Sequence, residues 1–430
     1  MDSKQFLEQV LSHIRSKEAK GYVKAELSQH MQHEKVAWMK KGYSKLEAEE
    51  KSVLEMGNPS TLGKSFNRLH KPKIDWLLVS LIIGMMIISF LPILALNGPQ
   101  YNIQLYIENK IFHIIAGIIV VIGLMLVDYS KFTRWGYAFF AAGALFVTFL
   151  YLFHNQQING EPMFSIGPIT LQVWLAIPLF CIAWAALFAK ENFPLWQAIV
   201  LVIFSFVLLS YIPNLSVLFI YSVMTFVLFL QSKFSWKQKG AIIVLVIGVI
   251  VGFISFMVIS YKKGVIADYQ LVRLFGFWNP EAYATSSGSI NILLADILRE
   301  AKWFGSGTAF VIPEAHTDLV FGHIIQSFGL ALAFVIFIIL CLTLVRLALI
   351  LTMIKNPFGK LLISGCIAIF STQLLYEVGM TIGLVPISSM PLPFISYGLM
   401  PTVLNAFIIG VALNVYRRKH FVQVSSIANL

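Results

Sequence analysis

Two hydrophobic patterns divide this chain near residue 72. Before that point apolar residues recur singly at helical spacing among many charged ones, as in Phe6, Val10 and Ile14, or Val53, Leu54 and Met56. Each such helix has only a narrow apolar face, so several must pack together to be stable. The stretch "SKLEAEEKSVLEMGNP" carries its own punctuation. Ser44 stands three residues before Glu47, a capping-box spacing, and Gly57 closes the helix ahead of Asn58-Pro59, which opens another. Residues 1–72 are expected to form a small cytosolic helical domain. From Trp76 onward apolar runs of roughly 17 to 25 residues recur, the length a helix needs to cross a bilayer. Ten spans are expected, near 76–96, 111–128, 135–153, 170–189, 195–211, 214–231, 240–260, 319–349, 359–386 and 401–416. The fold class is all-α: a polytopic membrane protein of about ten transmembrane helices plus a small N-terminal cytosolic helical domain.

Composition agrees, with 58% hydrophobic and 12% charged residues, where a soluble domain carries roughly a quarter charged. The net charge of +11 is read by position and not as a nucleic-acid signal; membrane lipid is the expected contact. Lys131 and Arg134 follow the second span, Lys190 the fourth, Lys233, Lys237 and Lys239 the sixth, Lys355 and Lys360 the eighth, and Arg417, Arg418 and Lys419 the last. Those loops are cytoplasmic by the positive-inside rule, and an even number of spans leaves both termini inside. The polar first 70 residues hold no cleavable signal, so the first apolar run is expected to be an uncleaved anchor. Cys181, Cys341 and Cys366 all fall in apolar runs and read as packing residues, with no metal cluster among them. One outer loop, residues 261–317, is long and carries Lys262, Lys263 and Arg273. Within it "SGSINILLADILREAKWF" has one apolar helical face, which suits a helix lying in the interface plane as a lid. Its basic residues suit either a phosphorylated lipid head or ordinary anionic lipid.

At the end of that loop "IPEAHTDLVF" places Glu314, His316, Thr317 and Asp318 against the eighth span. Asp318 or Thr317 can serve as an N-cap; a carboxylate near hydrocarbon also marks a functional site facing a cavity. Gln373, Glu377 and Thr381 repeat at i, i+4 and i+8 in the ninth span, and Asp318, Gly322 and Gln326 do so in the eighth. Two polar stripes could enclose one wet cavity, or simply bond helix to helix. "VPISSMPLPFISYG" contains Pro386, Pro391 and Pro393, so the backbone near the outer face must be irregular there.

"IPEAHTDLVF" and "PLPFISYG", joined by two spans, resemble the paired signatures of the SEDS family (shape, elongation, division and sporulation), the FtsW/RodA/SpoVE group. "MLVDYSKF" and "VRLFGFWNPE" are similar to weaker landmarks of that family, and the resemblance covers residues 76–420. It implies a glycosyltransferase that polymerises lipid II at the outer face of the bacterial cytoplasmic membrane, for division, elongation or sporulation. The usual partner is a class B penicillin-binding transpeptidase. Asp318 falls on the family's essential acid. Glu314, His316, Thr317, Gln373, Glu377, Ser396 and Tyr397 are then candidate substrate-binding residues, and Arg273 with Lys262 or Lys263 would offset charge on the diphosphate. No metal ligands are assigned and no cofactor is certain; a divalent cation stays open. The chain departs from the family pattern in several places: Leu175 and Pro178 stand where an ion pair is common, Ser388 where a Lys is often found, and Glu377 where an Asn is usual. Leu399, Met400 and Pro401 replace a Gly-Ser-Ser ending, and Gln326-Ser327 an acidic pair. A lipid-precursor transporter and a non-catalytic scaffold that binds a transpeptidase are the alternatives. The first 72 residues resemble the helical prefix domains of some bacterial permease-like proteins, which implies a regulatory or docking role.

Overall fold

The computed structural model describes residues 2–15, 17–69, 74–96, 98, 101–158, 160–167, 169–262, 277–284, 288–305 and 310–419. The chain forms two compact units, Met1–Asp75 with Met353–Asn356 and Val415–Leu430, and Trp76–Thr352 with Pro357–Asn414. In the first, α1 (Ser3–Ser12), α2 (Lys17–Lys40), α3 (Lys45–Glu55) and α4 (Pro59–Leu69) close around Phe6, Val10, Ile14, Ala19, Val23, Leu27, Met31 and Val53. Caps decide where two of them start. Glu47 N–H donates to Ser44 Oγ (3.3 Å) and Ser44 N–H to Glu47 Oε2 (3.0 Å), the reciprocal pair that the spacing predicts. Asn58 Oδ1 accepts from the Ser60 and Thr61 N–H groups to open α4.

In the second unit α5 (Trp76–Ile88) continues into the short α6 (Leu91–Leu94), and α7 (Ile103–Leu126) follows. A 3-10 segment, Tyr129–Trp135, leads into α8 (Gly136–Phe153). Three antiparallel strands, β1 (Gln156–Ile158), β2 (Glu161–Ile166) and β3 (Ile169–Leu171), are ordered β1-β2-β3. Then come α9 (Ala176–Ala189), α10 (Leu195–Ser210), α11 (Leu215–Gln231), α12 (Trp236–Lys262) and α13 (Ser289–Arg299). The last four helices are α14 (Val320–Phe328), α15 (Leu330–Met353), α16 (Pro357–Thr381) and α17 (Leu399–Arg417). Six segments are long and apolar enough to cross a membrane: Trp76–Leu94, Ile103–Leu126, Tyr129–Phe153, Leu330–Met353, Pro357–Thr381 and Leu399–Arg417. Val173–Ala189, Leu195–Ser210 and Leu215–Gln231 are shorter and equally apolar, and α12 runs for 27 residues. Among the described residues six helices are thus long and apolar enough to span, as in a multi-pass membrane protein, and the shorter apolar helices and α12 fall where the other expected spans lie.

Burial separates inner from outer helices. The spanning windows of α16 and α17 are 72% and 78% buried against 17% for α7, and every α9 residue from Ala176 to Phe188 except Leu179 is buried. A Cβ at Gly365 would lie 2.7 Å from Cys181 Sγ, so glycine there permits the close α9–α16 approach. Polar bonds pin neighbouring spans: Trp184 Nε1–H donates to the Tyr221 hydroxyl (3.0 Å), which bonds Ser205 Oγ (2.5 Å), and Ser364 Oγ–H donates to Gln231 Oε1 (2.6 Å).

The structure corrects three expectations. The eighth span is not continuous from 319: Gly329 (φ +86°) separates α14 from α15. A Cβ at Gly329 would meet the Lys302 and Trp303 carbonyl oxygens at 2.8 Å, and those same carbonyls accept the Leu330 and Ala331 N–H groups that open α15. The loop between the third and fourth spans is a small sheet. The helix α13 buries Leu294 and Ile297, and Leu294 sits close enough to Gly322 that a Cβ there would come within 2.8 Å; its apolar face is occupied by α14.

Candidate functional site

A cavity of about 2100 Å³ opens in the second unit, walled by α7, the sheet, the start of α11, residues 313–319 and residues 385–401. Two irregular segments build its catalytic-looking side. In the first, Glu314 adopts a left-handed backbone (φ +50°), which lets its carbonyl accept from the Thr317 and Leu319 N–H groups (3.0 and 3.3 Å). Its carboxylate accepts from Thr317 Oγ1–H (2.8 Å). The second segment contains the prolines that exclude a helix, and Phe394 is left-handed (φ +64°). The two are stitched together. Ser396 Oγ–H donates to the Thr317 carbonyl (2.7 Å), and Tyr397 N–H donates to the His316 carbonyl (2.8 Å).

Asp318 stands on the cavity wall, half-buried, with Ser389 of the second segment also on that wall. Burial pushes its carboxyl up to about 6; the nearby Ser389 hydroxyl opposes the rise and the Glu314 charge adds to it. Burial holds the His316 imidazole below its ordinary value against the pull of Glu314, so it is neutral at pH 7. His316, Tyr106 and Tyr397 form an aromatic part of the cavity wall, with ring centroids 4.9 to 5.4 Å apart. Glu314, His316, Thr317, Asp318, Ser396 and Tyr397, which the sequence picks out, all line this cavity. The Ser396 hydroxyl is committed, accepting Leu392 N–H (2.8 Å) while donating to Thr317.

Gln373 and Glu377 are not on the wall, which corrects their placement as substrate-binding residues. Both are fully buried in α16, on a face turned toward the start of α14. Glu377 Oε1 accepts Phe321 N–H (3.4 Å), while Glu377 Oε2 and both amide atoms of Gln373 have no hydrogen-bond partner among the described residues. The two polar stripes therefore do not enclose one cavity. Gln326 Nε2–H donates to the Phe310 carbonyl (2.9 Å), His323 Nε2 bonds the Pro92 carbonyl oxygen (3.1 Å), and Thr381 bonds back to Glu377 (2.9 Å). Lys263, Arg273 and the Lys262 side chain lie outside the described residues.

Sequence reasoning misses several cavity residues. Glu161 on β2 bonds Asn214 Nδ2–H through Oε2 (2.8 Å), and its carboxyl is raised by burial, with the Asp318 charge adding to the rise. A lone carboxylate in a loop, 154–169, that has no Lys or Arg is the available signal. Ser389 and Tyr106 carry no sequence mark of their own. Ser388 bonds Ser216 Oγ (2.7 Å), joining the second segment to α11. The described lining has no Lys or Arg, and among the described residues no three His, Cys, Asp or Glu side chains group as a metal site.

Apolar helices of spanning length and a carboxylate-bearing cavity define a polytopic membrane protein with a site built from two irregular segments. Residues 72–420 match the family model of cell cycle proteins named FtsW/RodA/SpoVE, and the chain belongs to that family. It is 33% identical over 175 residues to a probable peptidoglycan glycosyltransferase FtsW of Geobacter metallireducens, covering 39% of this chain and 44% of that protein. The chain thus spans less than half the length of that relative. It is 25% identical to the probable peptidoglycan glycosyltransferase FtsW of Bacillus subtilis, covering 77% of this chain and 86% of that one. Among solved structures, a chain of a peptidoglycan synthase complex that coordinates polymerisation and crosslinking superposes with a TM-score of 0.67 at 19% identity, covering 80% of this chain and 98% of that chain. At that identity the likeness shows the fold.

Proposed function

We infer that this protein is a peptidoglycan glycosyltransferase that extends glycan strands from lipid II at the outer face of a bacterial cytoplasmic membrane, with Asp318 as general base. The observation that carries the reading is the half-desolvated Asp318 carboxyl, near 6, on the wall of the cavity. Such a group is ionised at pH 7 yet basic enough to take a proton in the transition state. The acceptor sugar's 4-hydroxyl attacks the donor's anomeric carbon as Asp318 takes the hydroxyl proton. The bond from that carbon to the diphosphate oxygen breaks, and the prenyl diphosphate leaves with the bonding pair. The wall offers Glu161, Glu314 and Asp318; Arg273, with Lys262 or Lys263, would offset the charge that develops on the diphosphate. A class B transpeptidase is the partner this chemistry calls for, since new strands need crosslinking. Purified Asp318→Asn protein is expected to make no glycan strands from lipid II in a gel assay while expressing normally. Strands at the wild-type level from that variant would remove Asp318 from the mechanism. Flipping of labelled lipid in vesicles without polymer would favour the transporter reading instead.

A further inference from the structure

Inside α7, two turns from its start, Lys110 is 1% exposed and is absent from the cavity wall. Burying an ammonium in a membrane helix is costly unless every donor is met. Here three are: Nζ donates to the carbonyls of Phe394 (3.4 Å), Ile395 (3.3 Å) and Ser396 (3.1 Å). Among the described residues it pairs with no carboxylate. Three successive carbonyl oxygens converge on one point at this turn. Like dipoles so arranged repel, and a bulky residue at φ +64° is strained; a cation at their focus offsets both. The same turn supplies Ser396 Oγ to the Thr317 carbonyl and Tyr397 N–H to the His316 carbonyl, the two residues just before Asp318.

We propose that Lys110 is a positioning residue: its ammonium holds the Phe394–Ser396 turn, and that turn holds the backbone that presents Asp318 to the cavity. Lys110 touches neither Asp318 nor the cavity, so its loss acts on turnover and not on substrate affinity. The inference rests on the glycosyltransferase reading for its kinetic consequence and on the turn alone for its structural one.

The test measures both on the full-length protein in detergent. Lys110→Met keeps the length and removes the donors. Its kcat with lipid II is expected to fall on the order of 10²-fold, the cost of misplacing a catalytic group by an ångström, with KM within about twofold. Hydrogen exchange at the Leu392 and Tyr397 amides is expected to quicken by about tenfold or more as the turn loosens. Lys110→Gln, which keeps two donors, is expected to recover part of both. Unchanged exchange overturns the proposal, and so does faster exchange with wild-type kcat, or a loss that falls on KM. Should Lys110→Met fail to fold, Lys110→Gln and Ser396→Ala carry the test, and wild-type exchange and kcat in both overturn it. If the wild type makes no polymer, the glycosyltransferase reading has failed, and the exchange result still decides whether Lys110 holds the turn.

Discussion

Asp318 and Glu377 both bring a carboxyl group to the start of α14, but one stands on the wall of a 2100 Å³ cavity and the other is shut away with no exposed surface. Asp318 shares the cavity wall with Ser389 of the facing segment and with Glu161. Glu377 accepts one backbone N–H of α14 and leaves its other oxygen without a partner among the described residues. Access separates them more than residue type does. A carboxylate that meets substrate space can exchange a proton with it; one sealed behind a helix can only fix that helix. On sequence alone Glu377 is the costlier group to bury, yet the geometry gives the chemistry to Asp318.

The largest effect expected is the contrast between matched substitutions. Asp318→Asn should lower strand synthesis by roughly 10² to 10⁴, the range that general-base help supplies, whereas Glu377→Gln, which keeps the acceptor for Phe321 N–H, should stay within about threefold of wild type by the same reasoning. Equal losses in the two variants would erase the distinction. Next in size is stability. Glu377→Ala leaves a buried N–H without its acceptor, so it should cost about 1 to 3 kcal/mol, where Glu377→Gln costs little. Thermal unfolding in detergent, with both variants measured side by side, reads the difference. Asp318→Asn should not destabilise at all. The folded carboxyl lies near 6 and an aspartate's ordinary value is 3.8, so between those values the folded state binds more protons than the unfolded one. Wild-type stability at this site therefore rises as pH falls from about 6 to 4 and is lowest above 6. The Asn variant should be at least as stable as wild type at pH 7.5 and lose that advantage toward pH 4.

How far this contrast was legible in the sequence depends on the kind of signal. Apolar run length placed the apolar helices, and Ser44, Glu47 and Asn58 marked the caps that the first unit uses, because both signals are local. That the two signature stretches meet in space is read from the structure. Depth was not legible. Starting the second span at 111 left Lys110 outside the bilayer, whereas α7 begins at Ile103 and carries it two turns inward. Helical spacing put Glu377 and Asp318 on polar stripes without saying that Gly329 would break one of them. Glu161 came to the site through a strand pairing, a long-range contact that no local pattern encodes.

Ser389 offers the finest probe of the comparison, since it acts on Asp318 and leaves Glu377 untouched. Its hydroxyl favours the ionised Asp318 carboxyl against burial. Ser389→Ala removes that hydroxyl and should move the carboxyl above 6. A general base works in its ionised form, so the acid limb of kcat/KM, expected to bend near pH 6 in the wild type, should move toward alkaline pH by roughly half to one pH unit. At pH 8 the base is ionised in both proteins and the rates should differ little, while at pH 6 the variant should be a few-fold slower. Glu377→Gln should leave the limb where it is. A limb that stays put in Ser389→Ala, or follows Glu377 instead, would transfer the titrating role from the cavity wall to the sealed carboxyl.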